Sequence, residues 1–333
     1  MEIKNLKNKL FSKNNLTTDE SLSLFEEIMN GRLNEIDISS ILISLKLKGE
    51  TKEEILGAVK IMRSKSLKIS SSDNTVDTCG TGGDMSDTLN ISTAASLVAA
   101  SCGVKIAKHG NKSVSSKSGS ADMLEYIGYK FSDDPKTLEY QLINNNFCFM
   151  FAQYHHSAMK HVINVRKTLE TRTIFNLLGP LTNPANTKNQ LLGVYDKKWL
   201  NTHCEVLKEL GSKNVLVVHG CDGLDEITLT NNTQICELKK NNINNYIFDP
   251  RDIGYNYISL EEIKGGDPEY NAKNFRKMIN GDYPQFQKIV ELNAGAAIYL
   301  SGKAENIKEG SFIAKKSIAD GQTKEFISKI TNE

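Results

Sequence analysis

Apolar residues in the first seventy positions recur every three to four residues, the spacing at which side chains share one face of a helix. Two of the three apolar stripes follow a capping box, at 17–20 and 51–54, where a threonine precedes a glutamate by three positions. The stripes are Leu22, Phe25 and Ile28; Ile38, Ile41, Leu42 and Leu45; and Ile55, Val59 and Met62. We expect three or four short helices, with one stripe packed on the rest of the chain and the remainder facing a second copy.

After a polar run at 70–74, short β-prone segments alternate with helical ones. The pattern predicts strands at 75–78, 104–107, 191–195 and 215–219, helices at 93–101 and near 202–210, a helix capped by Ser120, and a solvated hairpin tip at 239–245. This alternation is typical of an α/β domain with a central, largely parallel sheet flanked by helices. We expect a small N-terminal helical domain over 1–72, with a returning helical segment near 168–185, and a larger α/β domain over 73–167 and 186–333.

Charge and cysteine content narrow the range of partners. The 333-residue chain carries 41 Lys and Arg against 40 Asp and Glu, so a net charge of +1 offers no broad basic field to nucleic acid or an anionic membrane. Its six cysteines include no C-x-x-C pair, as expected of free thiols in a reducing cytosol. The N-terminus lacks the apolar core of a signal peptide, and no apolar run approaches the roughly 18 residues of a membrane span. We expect a cytoplasmic protein that binds neither nucleic acid nor membrane.

A glycine-rich loop, Gly80-Thr81-Gly82-Gly83-Asp84, follows the first predicted strand. Glycines let backbone N–H groups approach an anion closely. The loop is not a Walker A motif, because no Gly-Lys-Ser/Thr follows Gly83, and it is not a G-x-G-x-x-G motif, because Met85 stands at the third glycine position. A tight strand-to-helix turn is the purely structural alternative.

Further hydrogen-bond donors follow within forty residues and favour a cradle for phosphate or diphosphate. They lie in Asn90-Ile91-Ser92-Thr93, in Lys108-His109-Gly110-Asn111, and at Ser115, Ser116 and Ser120. A lysine at a strand end beside a glycine-rich loop suits a phosphate, whereas a lone histidine there is more often a packed core group.

Two other positions carry candidate chemistry. Asp225 and Glu226 are adjacent carboxylates after a predicted strand and two glycines, and only an irregular loop could aim both at one target; a solvated acidic turn is the alternative. Arg166 could bind a carboxylate through two parallel hydrogen bonds or form a surface ion pair.

Taken together, these motifs resemble the anthranilate phosphoribosyltransferase family. The resemblance continues through Arg172-Thr173-Ile174-Phe175-Asn176, 178–185, His219-Gly220, 222–226 and Asn293-Ala294. It implies a nucleoside phosphorylase/phosphoribosyltransferase-like fold. It also implies transfer of the phosphoribosyl group from 5-phosphoribosyl 1-diphosphate (PRPP) to the amine of anthranilate, the second step of tryptophan biosynthesis.

The resemblance also implies site residues. The PRPP-binding residues would be Gly80, Thr81, Gly82, Gly83, Asp84, Thr88, Asn90, Ile91, Ser92, Thr93, Lys108, His109, Gly110, Asn111, Lys112, Ser113, Val114, Ser115, Ser116 and Ser120. Anthranilate would meet Gly80, Asn111, His156 and Arg166, and Ser92, Asp225 and Glu226 would hold Mg²⁺, with two ions brought by the diphosphate. No residue is assigned as a general acid or base. Gln153 and Asn164 stand where the family has prolines.

Two alternative functions use the same architecture. A pyrimidine nucleoside phosphorylase is disfavoured by Asp84 and the Asp225-Glu226 pair, which suit a metal-bound diphosphate, and a non-catalytic nucleic-acid-binding relative is disfavoured by the near-zero net charge. The resemblance further implies a homodimer formed through the helical domain. Association with a separate anthranilate synthase component stays open.

Overall fold

Four helices begin the chain. The computed structural model describes residues 2–112 and 117–331. The helices are α1 (Ile3–Phe11), α2 (Thr18–Met29), α3 (Glu35–Lys48) and α4 (Lys52–Ser64). Both predicted capping boxes are present at the starts of α2 and α4, where the threonine accepts from the glutamate N–H and the glutamate accepts in return. The predicted helical region is confirmed.

From residue 76 onward strands and helices alternate. In chain order they are β1 (Val76–Gly80), α5 (Ile91–Ser101), β2 (Ile106–Gly110), α6 (Ser120–Tyr126), α7 (Pro135–Asn145), β3 (Phe147–Phe151), α8 (Ala152–His155), α9 (Ile163–Leu169), α10 (Ile174–Leu178), β4 (Asn189–Gly193), α11 (Trp199–Glu209), β5 (Asn214–Gly220), β6 (Thr233–Lys239), β7 (Asn242–Phe248), α12 (Pro268–Ile279), α13 (Pro284–Leu300), α14 (Ile307–Ala319) and α15 (Gln322–Thr331). Short 3₁₀ helices cover Ser157–His161, Gly179–Leu181, Pro250–Ile253 and Leu260–Ile263.

The seven strands form one sheet in the order β3-β2-β1-β4-β5-β6-β7. Strands β1 to β5 pair in parallel, and β6 and β7 add an antiparallel hairpin. The strand order reverses between β1 and β4, and ligands of open α/β sheets bind in the crevice at such a point, beyond the carboxyl ends of the strands. The predicted largely parallel sheet is therefore confirmed, and the glycine-rich loop lies at its switch point.

Several predicted element boundaries were wrong. Strand β2 extends to Gly110, so Lys108 and His109 lie within the strand and pair with β3 instead of following the strand. Gly119, not Ser120, is the N-cap of α6, because its N–H donates to Asp122 at 2.8 Å. The predicted tip at 239–245 is mostly strand, since Lys239 pairs with Asn242 and only two residues turn between them.

The apolar stripes of the helical region all pack within the chain, which corrects the expectation that one stripe packs on the rest of the chain and the remainder faces a second copy. Phe25, Ile28, Ile38 and Leu42 join one core with residues of β4, β5 and α11. The returning helices α9 and α10 complete this cover, since α9 packs on α3 and α10 on α3 and α4. The apolar side chains of this region that stay exposed lie elsewhere on the helices.

The other face of the sheet packs on α5 and α13, which also pack on each other. Helix α13 is thus the central support of the α/β part, buried along most of its length. In the described part of the chain, none of the helices has the length and apolar character needed to cross a membrane.

Candidate active site

The glycine-rich loop is open on one side and tied down on the other. Gly82 and Gly83 have left-handed φ angles of 64° and 75°, and a Cβ on Gly82 would meet nothing within 4 Å. Thr81 fixes the loop to the end of β4, since its hydroxyl accepts from the Tyr195 N–H at 3.0 Å. The Gly82 N–H donates to the Asp225 carboxylate at 2.8 Å. The loop thus leaves room for a ligand above Gly82.

Asp225 and Glu226 lie in the irregular loop between β5 and β6 and contact two different elements. Asp225 Oδ2 accepts from Gly82 in the glycine-rich loop, and Glu226 Oε1 accepts from the Ser92 N–H at the start of α5 at 3.1 Å. The structure therefore brings Ser92, Asp225 and Glu226 together. A solvated acidic turn does not describe these contacts.

Three carboxylates, those of Asp84, Asp225 and Glu226, lie near one another beside the glycine-rich loop. Burial and the nearby Asp84 carboxylate raise the pKa of Asp225 to about 7. Burial and Asp225 raise the pKa of Glu226 well above its ordinary value. Crowded, partly desolvated carboxylates are stabilised by a cation, so the donor set fits a divalent metal. Among the described residues no group of three or more His, Cys, Asp or Glu could hold a metal ion by itself. Further ligands would have to be hydroxyl, water or phosphate oxygens.

The start of α5 faces the same point. Ile91, Ser92 and Thr93 form the first turn of this helix, which contains no acidic residue of its own. Two N–H groups of this turn have partners, since that of Ile91 donates to the Leu89 carbonyl at 2.7 Å and that of Ser92 donates to Glu226. The dipole of the helix N-terminus favours an anion there. The preceding Asn90 accepts from Asn271 at 2.8 Å and donates to the Ser118 carbonyl at 3.2 Å.

Lys108 and His109 face opposite sides of the sheet, because successive strand residues alternate. Lys108, 1% exposed, donates to the Thr78 carbonyl. Burial lowers its pKa, and the negative charges of Asp77 and Glu226 oppose that shift. His109 instead packs edge to face on His156, with ring centroids 5.5 Å apart. The structure thus places His109 beside the predicted acceptor site and not beside the glycine-rich loop.

The segment after β2 is described only in part. The Asn111 carbonyl accepts from the Ser120 hydroxyl at 3.3 Å, and a Cβ on Gly110 would overlap that hydroxyl. Lys112 forms an exposed ion pair with Glu125 at 2.8 Å. Thr88 forms a β-bridge with Lys264. The predicted residues Ser113, Val114, Ser115 and Ser116 lie outside the described residues.

On the acceptor side, Arg166 is half-buried in α9. Its guanidinium lies over the Phe175 ring, 5.7 Å from the centroid, and burial lowers its pKa. No carboxylate of the described residues forms an ion pair with it, so the surface ion pair is not observed. His156 is buried, its Nε2 has no partner among the described residues, and burial lowers its pKa to about 4. Burial thus keeps the His156 imidazole neutral, whereas the Arg166 guanidinium keeps its positive charge.

Comparison with known proteins agrees with these features. Residues 72–324 match the profile of the glycosyl transferase family, a/b domain, and residues 4–66 match that family's helical bundle domain. An anthranilate phosphoribosyltransferase of Thermoanaerobacter sp. (strain X514) is 45% identical over 323 residues, which are 97% of this chain and 96% of that protein. The chain belongs to the anthranilate phosphoribosyltransferase family. The family predicted from the sequence is confirmed, and the relatives favour neither alternative function.

Solved anthranilate phosphoribosyltransferases share the fold. The enzyme of Thermus thermophilus superposes with a TM-score of 0.92 at 36% identity, covering 98% of each chain. The Saccharomyces cerevisiae enzyme in complex with PRPP and Mg superposes with a TM-score of 0.89 at 26% identity, covering 99% of this chain and 98% of that one. The predicted domain boundaries stay a prediction.

Sequence reasoning gave no role to Arg172, which it named only within a family motif, and did not single out Gly193. The Arg172 guanidinium stacks on the Tyr195 ring, 4.0 Å from the ring centroid, and donates to the Gly83 carbonyl. These two contacts restrain the glycine-rich loop. Gly193 ends β4 in register with Gly80 of β1, and a Cβ on either glycine would overlap Asp225. A glycine at the end of a second parallel strand was the available signal for Gly193.

Proposed function

We propose that the chain carries out phosphoribosyl transfer at the switch point of its sheet, with Ser92, Asp225 and Glu226 as magnesium ligands. In this reaction the amine nitrogen of anthranilate bonds to C1 of PRPP, and the C1–oxygen bond to diphosphate breaks, its electron pair leaving with the diphosphate. The products are N-(5-phosphoribosyl)anthranilate, diphosphate and the proton that the amine nitrogen gives up. The observation that carries the proposal is a pair of carboxylate contacts. They join Gly82 and Ser92 to one loop, the acidic loop, which carries Asp225 and Glu226 between β5 and β6.

Magnesium is the cofactor that this donor set fits, and the yeast relative was solved with PRPP and Mg. When bound, the metal supplies positive charge to the oxygens of the departing diphosphate. We propose two ions, which the divergent aim of Asp225 and Glu226 supports. The chain's own part is to present two anionic oxygens and a hydroxyl between the glycine-rich loop and α5.

The remaining hydrogen-bond donors for phosphate oxygens lie around the proposed metal site. The glycine-rich loop, the first turn of α5 and the end of β2 with Asn111 would hold the diphosphate and the 5′-phosphate through main-chain N–H groups and hydroxyls. The buried Lys108 ammonium donates to the carbonyl of Thr78, two residues before the glycine-rich loop begins. These groups are fixed by the fold before the substrate binds, so they need little reorganisation as charge develops on the leaving group.

Anthranilate would bind on the helical side, between His156 and Arg166. The Arg166 guanidinium, without a carboxylate partner among the described residues, suits the acceptor carboxylate. Gln153 and Asn164, which stand where the family has prolines, are exposed on α8 and α9. Neither forms a hydrogen bond with Arg166 or His156 in the described part of the chain. We propose that the acceptor site tolerates both substitutions.

We also propose that the chain forms a homodimer through its helical part and acts in the cytoplasm. Ile36 and Leu47 on α3 are 81% and 75% exposed, more than the other large apolar side chains of α1 to α4, and are the ones we propose for that contact. The six free cysteines support a reducing compartment.

Diphosphate release tests the function. The purified chain is mixed with anthranilate and PRPP, with Mg²⁺ or with EDTA, and diphosphate and the fluorescence of anthranilate are followed together. We expect equimolar diphosphate and phosphoribosylated anthranilate, only with Mg²⁺. Phosphorolysis of uridine or thymidine by inorganic phosphate, with no anthranilate turnover, would overturn the proposal in favour of a nucleoside phosphorylase.

A further inference from the structure

A buried side-chain amide on α13 forms hydrogen bonds with the main chain of the acidic loop. Asn293 is fully buried, and its Oδ1 accepts from the Ile227 N–H at 3.1 Å. Its Nδ2 donates to the Ile227 carbonyl at 2.8 Å and to the Ile289 carbonyl of its own helix at 2.9 Å. The side chain therefore pairs with both main-chain groups of one loop residue while anchored to the helix, and all its amide hydrogens are used.

Ile227 directly follows Glu226, so this pairing bears on the aim of the carboxylate. The Ile227 N–H belongs to the peptide unit that links it to Glu226, and the Ile227 carbonyl belongs to the next unit. Fixing these units restrains the backbone on the C-terminal side of Glu226, whose carboxylate contacts Ser92. Where regular main-chain pairing stops, side-chain partners supply such order.

Helix α13 supports both halves of the proposed metal site. It packs on α5, whose first turn includes Ser92, and on β1, whose end begins the glycine-rich loop. Asn293 adds the acidic loop to the same helix. Its amide is thus the polar link between a rigid core helix and the residue next to the carboxylates.

We propose that Asn293 is a positioning residue for the magnesium–diphosphate site, acting through Ile227 to aim Glu226. The proposal rests on the proposed role of Asp225 and Glu226. Partners that orient metal ligands typically change metal affinity by about 10–100-fold when removed. Loss of the Asn293 amide should therefore weaken metal binding far more than it affects the acceptor side.

A matched control exists at the other end of the sheet. Asn189 at the start of β4 is also buried, and its Nδ2 donates to the carbonyls of Asp73 and Thr75 at 2.8 and 3.1 Å. Its Oδ1 accepts from Asn214 at 2.8 Å. Asn189→Ala removes as many hydrogen bonds as Asn293→Ala, but far from the carboxylates, so it reports the cost of losing a buried amide alone.

Binding of Mn²⁺ in the presence of inorganic diphosphate, followed by electron paramagnetic resonance, tests the proposal on Asn293→Ala and on Asn293→Leu, which keeps the branched side-chain skeleton but cannot form hydrogen bonds. We expect Mn²⁺ affinity to fall about tenfold or more. The anthranilate KM should stay within about twofold, and excess Mg²⁺ should restore most of kcat. Asn189→Ala should lose thermal stability and bind Mn²⁺ as the wild type does.

Wild-type Mn²⁺ affinity in a folded Asn293 variant would overturn the positioning role. The double variant Asp225→Asn with Glu226→Gln in the same assay separates the two claims. If it loses Mn²⁺ binding and the Asn293 variants do not, the positioning role alone is wrong. If it binds Mn²⁺ normally, the proposed metal ligands are wrong, and the role of Asn293 fails with them.

Discussion

At the scale of single residues, the predicted acceptor side combines the half-buried Arg166 cation with neutral histidines. Burial lowers the pKa of His109 well below its ordinary value, with His156, His155, Lys108 and Arg63 adding to the shift. His109 Nδ1 and His156 Nε2 are buried without partners among the described residues. Burial thus keeps both imidazoles uncharged at neutral pH. We propose that this uncharged pair suits the aromatic ring of anthranilate, with Arg166 as the partner of its carboxylate.

Acid should therefore destabilise the ligand-free chain. Unfolded histidines take up a proton near pH 6.5, whereas burial lowers the pKa of folded His156 to about 4, so the unfolded state binds more protons between these values. Stability present above pH 6.5 is thus lost as the pH falls. We expect His156 alone to lower the free energy of unfolding by about 1 kcal/mol between pH 7.5 and 5.5. Urea unfolding at both pH values should show a smaller loss in His156→Gln, and an identical loss would contradict this.

Arg166→Ala tests the acceptor assignment. Removal of the guanidinium should raise the anthranilate KM, or lower kcat through misorientation, by about tenfold or more, while the PRPP KM changes little. Steady-state kinetics with each substrate varied in turn gives both values. Equal damage towards both substrates would mark Arg166 as a structural residue packed on Phe175.

At the scale of elements, the acidic loop lies over two strands that end in glycine. Gly80 of β1 and Gly193 of β4 are register partners, and both leave the space that Asp225 occupies. The sheet thus positions the loop by the absence of side chains at two adjacent strand ends, while Asn293 holds it from the helix layer.

Gly193→Ala should displace the acidic loop, because the added methyl group would overlap the Asp225 carbonyl. A displacement of about 1 Å can cost on the order of a hundredfold in rate, so we expect a loss of that size in kcat/KM for PRPP. Gly179→Ala is the control, because its Cβ would meet nothing within 4 Å. Normal kcat/KM in a folded Gly193→Ala chain would show that the loop does not depend on this close approach.

How far the sequence predicts these elements depends on how local their causes are. The starts of α2 and α4 follow from capping boxes four residues long, and both were predicted correctly. The end of β2 depends on pairing with β3, some forty residues away, so Lys108 and His109 were misplaced at a strand end. Arg172, Gly193 and Asn293 act through contacts with loops distant in sequence. A glycine at a second strand end was a signal for Gly193, whereas the residue types of Arg172 and Asn293 did not indicate their contacts.

At the scale of the whole molecule, the two cores meet through the sheet. The helical region shares its core with β4, β5 and α11, and the opposite face packs on α5 and α13. We propose that the diphosphate side and the acceptor side adjoin one cleft at the switch point, built by a single chain. Assembly is then not required to complete the site.

Sedimentation tests the proposed assembly. We expect the wild type to sediment at about twice the 37.0 kDa chain mass, and Leu47→Glu to give folded monomers with substantial activity. Phe312→Glu on α14, at a side chain 68% exposed, is the matched control and should stay dimeric. A wild-type monomer would contradict the homodimer, and inert but folded monomers would contradict a self-contained site.

The central claim is that Asp225 and Glu226 bind the metal that holds PRPP. Calorimetric titration of PRPP into the wild type and into the double variant Asp225→Asn with Glu226→Gln, each with and without Mg²⁺, tests it most directly. Both changes keep the side-chain shape and remove an anionic oxygen. We expect Mg²⁺-dependent PRPP binding in the wild type. The variant should lose about tenfold or more in PRPP affinity and retain anthranilate binding. Equal, Mg²⁺-dependent affinity in both proteins would contradict the central claim.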